Sequence, residues 1–239
     1  MQAIILAGGR GTRLRPYTTV LPKPLMPIGD RPIIELLLRQ LQKAGVQEVF
    51  LAVGYMGQLF QALFEDGSRY GLKIFYSLEK KSLGTAGPIA LILDRLEDDF
   101  LVLNGDLLTT LDFARIFSFH REKRASATIG CFPRDVAIDF GVIERDANQR
   151  LVRYTEKPAY HFEVSMGVNV LNKKAVSLHL YPDEFLDLPD LMNRLIAEGH
   201  PVYGYSESCY WLDIGRVEDY QKALEIYESQ EGPFSGENK

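Results

Sequence analysis

Residues 2–14 read Gln2-Ala3-Ile4-Ile5-Leu6-Ala7-Gly8-Gly9-Arg10-Gly11-Thr12-Arg13-Leu14. Gln2–Leu6 is a short, nearly all-apolar run, the pattern of a strand buried on both faces. Glycines at 8, 9 and 11 follow at once. They let the backbone bend tightly and bring its N–H groups against a ligand, as a phosphate-cradling loop requires. Arg13 adds a multidentate donor suited to phosphate oxygens. The stretch predicts a first strand that feeds an anion-binding loop, and two familiar versions of such a loop do not fit. A P-loop ends in Gly-Lys-Ser/Thr, whereas Gly11 is followed by Thr12-Arg13; the dinucleotide fingerprint needs a glycine where Leu14 stands.

Prolines at 16, 22, 24, 27 and 32 forbid a regular helix after this loop. The chain is expected to run extended for roughly twenty residues up to Ile33, and ordered loops of that length are usually functional. Within it, Pro22 and Pro24 restrict the backbone on both sides of Lys23, which is either a solvated linker lysine or a second cation aimed at the phosphate site.

Beyond the loop, Ile33–Ala44 reads as a helix with Ile33, Leu37, Leu41 and Ala44 on one face. Glu48–Val53 reads as a strand, Gln58–Phe64 as a helix, Lys73–Ser77 as a strand, Ala86–Leu93 as a helix and Phe100–Leu103 as a buried strand. This alternation predicts an α/β fold, Rossmann-like, with a mostly parallel central sheet and helices on both faces. Ligands of such sheets bind at the carboxyl ends of the strands. The second half changes character. Ala127–Phe132, Val142–Arg145, Leu151–Glu156 and Ser165–Leu171 read as short strands of a smaller antiparallel elaboration. Helices return at Lys173–Leu180, Leu188–Glu198 and Arg216–Tyr227, with strands Val202–Tyr205 and Tyr210–Leu212 between them. One domain over 1–228 is expected, with a disordered tail over 229–239. Nothing after Tyr227 reads as a hexapeptide β-helix.

Two aspartates stand where ligands are expected. Asp106 follows strand Phe100–Leu103 through Asn104-Gly105, and Asp213 ends Trp211-Leu212-Asp213 before Ile214-Gly215. Together they could hold one Mg²⁺, which prefers a few carboxylates plus phosphate oxygens; the plainer readings are a turn-former for Asp106 and a helix cap for Asp213. Thr85, in Leu83-Gly84-Thr85-Ala86-Gly87-Pro88, can cap the helix that follows it.

Composition narrows the partners. The chain is 46% hydrophobic and 25% charged, with net charge −5, which disfavours a nucleic-acid partner. No apolar run reaches the length of a membrane span. Cys131 and Cys209 read as buried reduced thiols, which suggests a cytoplasmic protein. The histidines at 120, 161, 179 and 200 have no zinc-ligand spacing.

Leu6-Ala7-Gly8-Gly9-Arg10-Gly11-Thr12-Arg13-Leu14-Arg15-Pro16, followed by Leu21-Pro22-Lys23-Pro24-Leu25, resembles the signature of the sugar-1-phosphate nucleotidyltransferases, and the similarity runs from Gln2 to about Tyr227. The resemblance implies the nucleotide-diphospho-sugar transferase fold and transfer of a nucleoside monophosphate from an NTP to a sugar 1-phosphate. It implies nucleotide contacts from Leu6, Ala7, Gly8, Gly9, Gly11, Thr12, Arg13, Lys23, Gly84, Thr85 and Asp106, with Asp106 and Asp213 as Mg²⁺ ligands. It places Gly141, Glu156, Lys157 and Asn169 on the sugar phosphate. The Gly-Thr-Ala-Gly-Pro loop is most similar to that of mannose-1-phosphate guanylyltransferases, so GTP with mannose 1-phosphate or a related sugar is favoured. Arg13 would hold the leaving pyrophosphate and Lys23 would neutralise charge on the transferred group. Uridylyl and thymidylyl transfer, and a non-catalytic sugar-nucleotide-sensing subunit, remain as alternatives. An oxidoreductase is disfavoured by Leu14 and the prolines. A homo-oligomer is left open.

Overall fold

The computed structural model of the chain describes residues 1–229 and Phe234. Strand β1 (Gln2–Ala7) is an interior strand of a seven-stranded sheet, next to its central strand. Between it and the first helix lie two two-residue strands, β2 (Pro27–Ile28) and β3 (Arg31–Pro32), paired with each other. Helix α1 (Ile33–Lys43), strand β4 (Glu48–Val53), helix α2 (Gly57–Phe64) and strand β5 (Lys73–Leu78) follow. A short α3 (Gly87–Ala90) leads to β6 (Asp99–Asn104), then β7 (Leu107–Thr109) and α4 (Phe113–Lys123). The second half comprises β8 (Ala127–Ala137), β9 (Val142–Arg145), β10 (Leu151–Thr155) and β11 (Ala159–Asn172). It ends with α5 (Lys173–Val176), α6 (Leu188–Ala197), β12 (Val202–Tyr205), β13 (Trp211–Asp213) and α7 (Val217–Glu228).

The strand order is β12-β8-β11-β6-β1-β4-β5. β1 runs parallel to β4 and β6, and β4 to β5, while β11 is antiparallel to β6 and β8. After β1 the chain moves outward to β4 and β5, then returns to lay β6 on the other side of β1. The carboxyl ends of β1 and β6 therefore flank a topological switch point, where a ligand crevice opens. The α/β expectation holds. β1, β4 and β6 are buried on both faces, with Leu37, Leu41, Phe60, Phe64 and Phe113 packed on one side and Ile89, Val176, Leu191 and Leu195 on the other.

Several boundaries differ from the sequence reading for physical reasons. The proline-rich stretch after Gly11 is not extended throughout: Thr12–Leu14, Tyr17–Thr19 and Lys23–Leu25 each form a single 3₁₀ turn. Proline excludes a long α-helix, but its fixed φ suits one turn of helix. The expected helix Ala86–Leu93 is interrupted, with α3 ending at Ala90 and a 3₁₀ turn at Leu93–Arg95. Helix α4 was not read from the sequence, although its start is marked: the Asp112 carboxylate accepts from the N–H groups of Ala114 (2.9 Å) and Arg115 (3.1 Å).

The antiparallel elaboration is longer than expected, because β8 and β11 continue past the sheet. β11 pairs with β6 only over Val168–Asn172, and β8 pairs with β12 only over Ala127–Gly130. Residues 131–137 and 159–165 pair only with each other, an arm of roughly 20 Å at strand rise. β9 and β10 form a separate two-stranded hairpin at its end. Most of the expected tail, 229–239, lies outside the described residues; Phe234 is buried against Tyr210 and Tyr227. Among the described residues no helix is long and apolar enough to cross a membrane.

Candidate active site

The glycine loop leaves β1 at the switch point. Gly11 takes a left-handed conformation (φ 59°), and its carbonyl is tied down by Leu14 N–H at 2.9 Å and Thr18 Oγ1 at 2.8 Å. A Cβ at Gly11 would lie 2.9 Å from Thr18 Cγ2 and 3.1 Å from Lys23 Cβ. Glycine is therefore required for Arg13 and Lys23 to be held beside the strand ends. Lys23 is 7% exposed, and its Nζ is ion-paired with Asp106 Oδ2. The lysine flanked by prolines is thus a buried cation of the crevice, and removing either partner would leave an uncompensated buried charge.

Asp106 and Asp213 come together through a local β-ribbon. β13 pairs antiparallel with β7, setting Asp213 opposite Leu107, and Ile214 N–H donates to the Asp106 carbonyl at 3.2 Å. Burial pushes the Asp213 carboxyl above its ordinary range, and the nearby Asp106 charge adds to that, while Lys23 and Arg13 oppose it. Asp106 Oδ1 is buried without a hydrogen-bond partner. An orphaned carboxylate oxygen beside a second desolvated carboxylate suits a hard divalent cation. No group of three or more His, Cys, Asp or Glu side chains is arranged to hold a metal among the described residues. A cation on this pair would therefore complete its shell from substrate phosphates and water.

Cavities open beside the aspartates, one lined by Asp106 and another by Asp213. One of about 380 Å³ is lined by Leu6, Gly8, Gly9, Gly84, Thr85 and Asp106, joined by Glu79. Ala7 closes the strand behind it and is buried, and Thr12 is exposed on the loop beyond. A second, of about 440 Å³, shares Thr85 and Asn104 with the first and is walled by Gly167, Asn169 and apolar residues of α6. Gly167 sits in a β-bulge with φ 74°, where a Cβ would approach Asn104 Nδ2 to 2.6 Å. A third, of about 560 Å³, is reached from Arg13 and Asp213.

Two expectations change. Thr85 does not cap its own helix, whose N-cap is Ala86. Its hydroxyl accepts from Leu188 N–H at 2.7 Å and donates to Asp187 Oδ1 at 3.2 Å, so it serves the start of α6. Gly84 (φ 79°) turns the loop onto Leu186, whose carbonyl accepts from Ala86 and Gly87. Gly141, Glu156 and Lys157 are not brought to the aspartate pair. Glu156 and Lys157 are exposed at the arm, Glu156 accepting from Tyr154 Oη at 3.1 Å, and a Cβ at Gly141 would collide with that same hydroxyl. None of the three lines the first or second cavity, whereas Asn169 does line the second.

Glu79 was missed. It directly follows β5, and a Cβ on Gly8 would collide with its carboxylate, which also accepts from Leu83 N–H at 3.2 Å. Burial raises its pKa. The rule that singled out Asp106, a carboxylate just past a parallel strand, also applies to Glu79 and could have found it.

A family profile described as Nucleotidyl transferase matches residues 2–230. The chain belongs to the sugar-1-phosphate nucleotidyltransferase family. Among the relatives of the chain is a UTP–glucose-1-phosphate uridylyltransferase of Synechocystis, 34% identical over 94% of the chain and 62% of the relative. A mannose-1-phosphate guanylyltransferase of Mycobacterium tuberculosis is 35% identical over 92% of the chain and 62% of its own length. The chain thus spans less than two thirds of these two proteins. A D-glycero-alpha-D-manno-heptose 1-phosphate guanylyltransferase of Aneurinibacillus thermoaerophilus is 34% identical over 93% of the chain and 96% of the relative.

Proposed function

We propose that the protein transfers a nucleoside monophosphate from GTP to mannose 1-phosphate or another manno-configured sugar 1-phosphate, with Mg²⁺ as cofactor. The observation that carries the reaction is the Lys23–Asp106–Asp213 cluster: a buried cation and a carboxylate pair with an orphaned oxygen, facing a glycine loop across one crevice. The sugar phosphate is already anionic, so no base is required, and catalysis rests on position and charge. Mg²⁺, when bound by Asp106 and Asp213, would supply charge neutralisation for the nucleotide and sugar phosphates. Lys23 would carry positive charge to the α-phosphoryl oxygens, Arg13 would steady the departing phosphates, and the backbone of Gly8–Gly11 would hold them from the other wall. Lys157 and Glu156 would reach the sugar phosphate only if the arm folds toward the crevice.

Glu79 supports the choice of guanine. A carboxylate can accept from both N1–H and the exocyclic amine of guanine. Uracil and thymine instead present one N–H flanked by two carbonyl oxygens, which would repel it. Discrimination is strong where a wrong base leaves such an acceptor unpaired. The test is kcat/KM for GTP, ITP, UTP, dTTP and CTP with mannose and glucose 1-phosphates. GTP should lead, ITP should fall by about tenfold for the lost amine bond, and Glu79→Gln should erode the lead. A clear preference for UTP or dTTP would defeat the guanylyl reading and leave the reaction standing.

A further inference from the structure

Asp187 stands at the amino cap of α6, where an aspartate ordinarily accepts from the N–H groups of its own first turn. Among the described residues its side chain bonds to nothing in α6. Asp187 Oδ1 instead accepts from Thr85 N–H at 3.0 Å and from Thr85 Oγ1 at 3.2 Å. The Leu188 N–H that begins the helix donates to Thr85 Oγ1 at 2.7 Å, so the cap is supplied by a residue 103 positions away in the chain. Backbone bonds close the same seam: Leu186 N–H donates to the Leu83 carbonyl at 3.0 Å, and the Leu186 carbonyl accepts from Ala86 at 2.8 Å and Gly87 at 3.0 Å. A Cβ on Gly84 would stand 2.5 Å from the Leu186 carbonyl oxygen, and one on Gly87 the same distance from that of Glu184. Where a local capping rule yields to a long-range contact, a functional constraint is expected.

The seam serves two cavities at once. Thr85 lines the first, with the glycine loop and Asp106, and also the second. Five residues of α6, Leu188, Pro189, Met192, Asn193 and Ile196, line the second cavity. None of the described residues that line it is charged, whereas Asn104, Ser165, Asn169 and Asn193 offer it amides and a hydroxyl. Neutral donors and acceptors set among apolar side chains suit the hydroxyls and faces of a sugar ring better than phosphate. The Thr85 hydroxyl is already engaged: its proton goes to Asp187 and it accepts from Leu188. It has no proton left to donate to a nucleotide.

We infer that the Thr85 hydroxyl is a positioning group for the sugar and not a contact of the nucleotide. By holding Leu188 and Asp187 it fixes the amino end of α6, and with it the wall against which the sugar packs. The inference rests on the reaction proposed above in taking a sugar 1-phosphate as the second substrate. The loop that walls the nucleotide cavity thereby sets the shape of the neighbouring one, and a defect in the hydroxyl should be felt by the substrate it does not touch.

The test is Thr85→Val, which keeps the branched shape in the first cavity and leaves Leu188 N–H and Asp187 Oδ1 without the hydroxyl. In steady-state kinetics KM for the sugar 1-phosphate should rise by about tenfold, the size of effect expected for one lost capping bond. KM for the nucleotide should stay within about twofold of the parent's. Thr85→Ser, which retains the hydroxyl, should bring the sugar KM back toward the parent value. A rise confined to the nucleotide would make Thr85 a nucleotide contact and overturn the inference, as would no change in either KM. An equal rise in both, accompanied by a lower Tm, would reduce the hydroxyl to a support of the fold, and failure of serine to restore the sugar KM would assign the effect to side-chain shape; either result also overturns it. The kinetics are run with whichever of the nucleotide and sugar pairs named above the parent turns over fastest, so a preference for UTP removes guanine and leaves the split to be read. If the parent turns over none of them, the proposed reaction fails. Calorimetric titration with mannose and glucose 1-phosphates then decides the inference: affinity weaker in Thr85→Val and restored in Thr85→Ser upholds it, and equal or absent binding in parent and variants overturns it.

Discussion

The parallel half of the sheet and the protruding arm are built on opposite terms. At the ends of β1, β5 and β6, Lys23, Glu79 and Asp106 are half-buried or buried, and the backbone there is locked: Gly105 N–H donates to the Leu6 carbonyl at 2.9 Å, and a Cβ at Gly54 would lie 3.1 Å from the Gly8 carbonyl. On the arm and its hairpin, Phe140, Ile143, Val152, Tyr154 and Phe162 are exposed, and β9 and β10 pair only with each other. The first region is preorganised, so its charges act without being ordered at the moment of reaction. The second must gain its contacts from something else, and the exposed Glu156 and Lys157 belong to it. The comparison predicts that substitutions in the first region strike turnover, while those in the second strike affinity or nothing.

The largest effect should come from the carboxylate pair. Asp106→Asn and Asp213→Asn each retain size and remove a charge that a divalent cation needs. Pyrophosphate release should fall by about a thousandfold or more, in line with several kcal/mol of lost transition-state stabilisation. Near-parent turnover at limiting Mg²⁺ in either variant would remove that residue from the metal site.

Next comes a contrast between two lysines. Lys23→Ala should depress kcat by about a hundredfold, because a buried cation aimed into the crevice serves the transition state. Lys157→Ala should raise KM for sugar 1-phosphate by about tenfold and change kcat little, as expected for a ground-state contact made by an exposed group. The reverse pattern in steady-state kinetics would mean that the arm, not the crevice, carries the chemistry.

Much of the first region was legible in the sequence because its residues are neighbours in the chain. Gly8 to Lys23 is one continuous stretch, and Asp106 stands two residues past β6, so strand pattern and loop chemistry sufficed. Asp213 was legible as a candidate, but its proximity to Asp106 depends on the β7–β13 ribbon, and β7 is only three residues long. The hydrogen bonds that join Thr85 to Asp187 and Leu188 span about a hundred residues. No local propensity encodes them, so the local reading gave Thr85 to the wrong helix. The arm was less legible for a related reason. The resemblance supplied roles for Gly141, Glu156 and Lys157, whereas alternation of apolar residues cannot tell a strand laid on a core from one projecting into solvent.

A smaller effect separates stability from function within the crevice. The folded Asp213 carboxyl holds its proton to higher pH than the unfolded chain does, chiefly because it is buried. Between the ordinary carboxylate range and that raised value, the native state binds more protons, so stability falls as pH rises and stays lower at neutral pH. Asp213→Asn mimics the protonated form. In the absence of Mg²⁺ at pH 7 its Tm should exceed the parent's. The gain should vanish on acidification through that window, and also when Mg²⁺ saturates the parent. A variant less stable than the parent in metal-free buffer would mean that Asp213 is a structural ligand of the fold.

The smallest effect is expected on the arm. Ile143→Ser and Val152→Ser remove apolar side chains that are 46% and 60% exposed, so each should change unfolding free energy by no more than about 0.5 kcal/mol. Leu103→Ala, at a fully buried position of β6, should lose about 2–5 kcal/mol. The same contrast should appear in amide exchange: residues 142–145 and 151–155 have a single pairing partner and little packing, so they should exchange far faster than β1 and β6 in the free protein. Saturation with sugar 1-phosphate, nucleotide and Mg²⁺ should slow them, because contacts from Glu156 and Lys157 would tether the hairpin to the crevice. In Lys157→Ala that slowing should weaken while protection of β1 and β6 stays constant. Protection in the free protein equal to that of β6 would show that the arm is packed before any substrate arrives, and the division between a preorganised crevice and a hairpin ordered by ligand would fall.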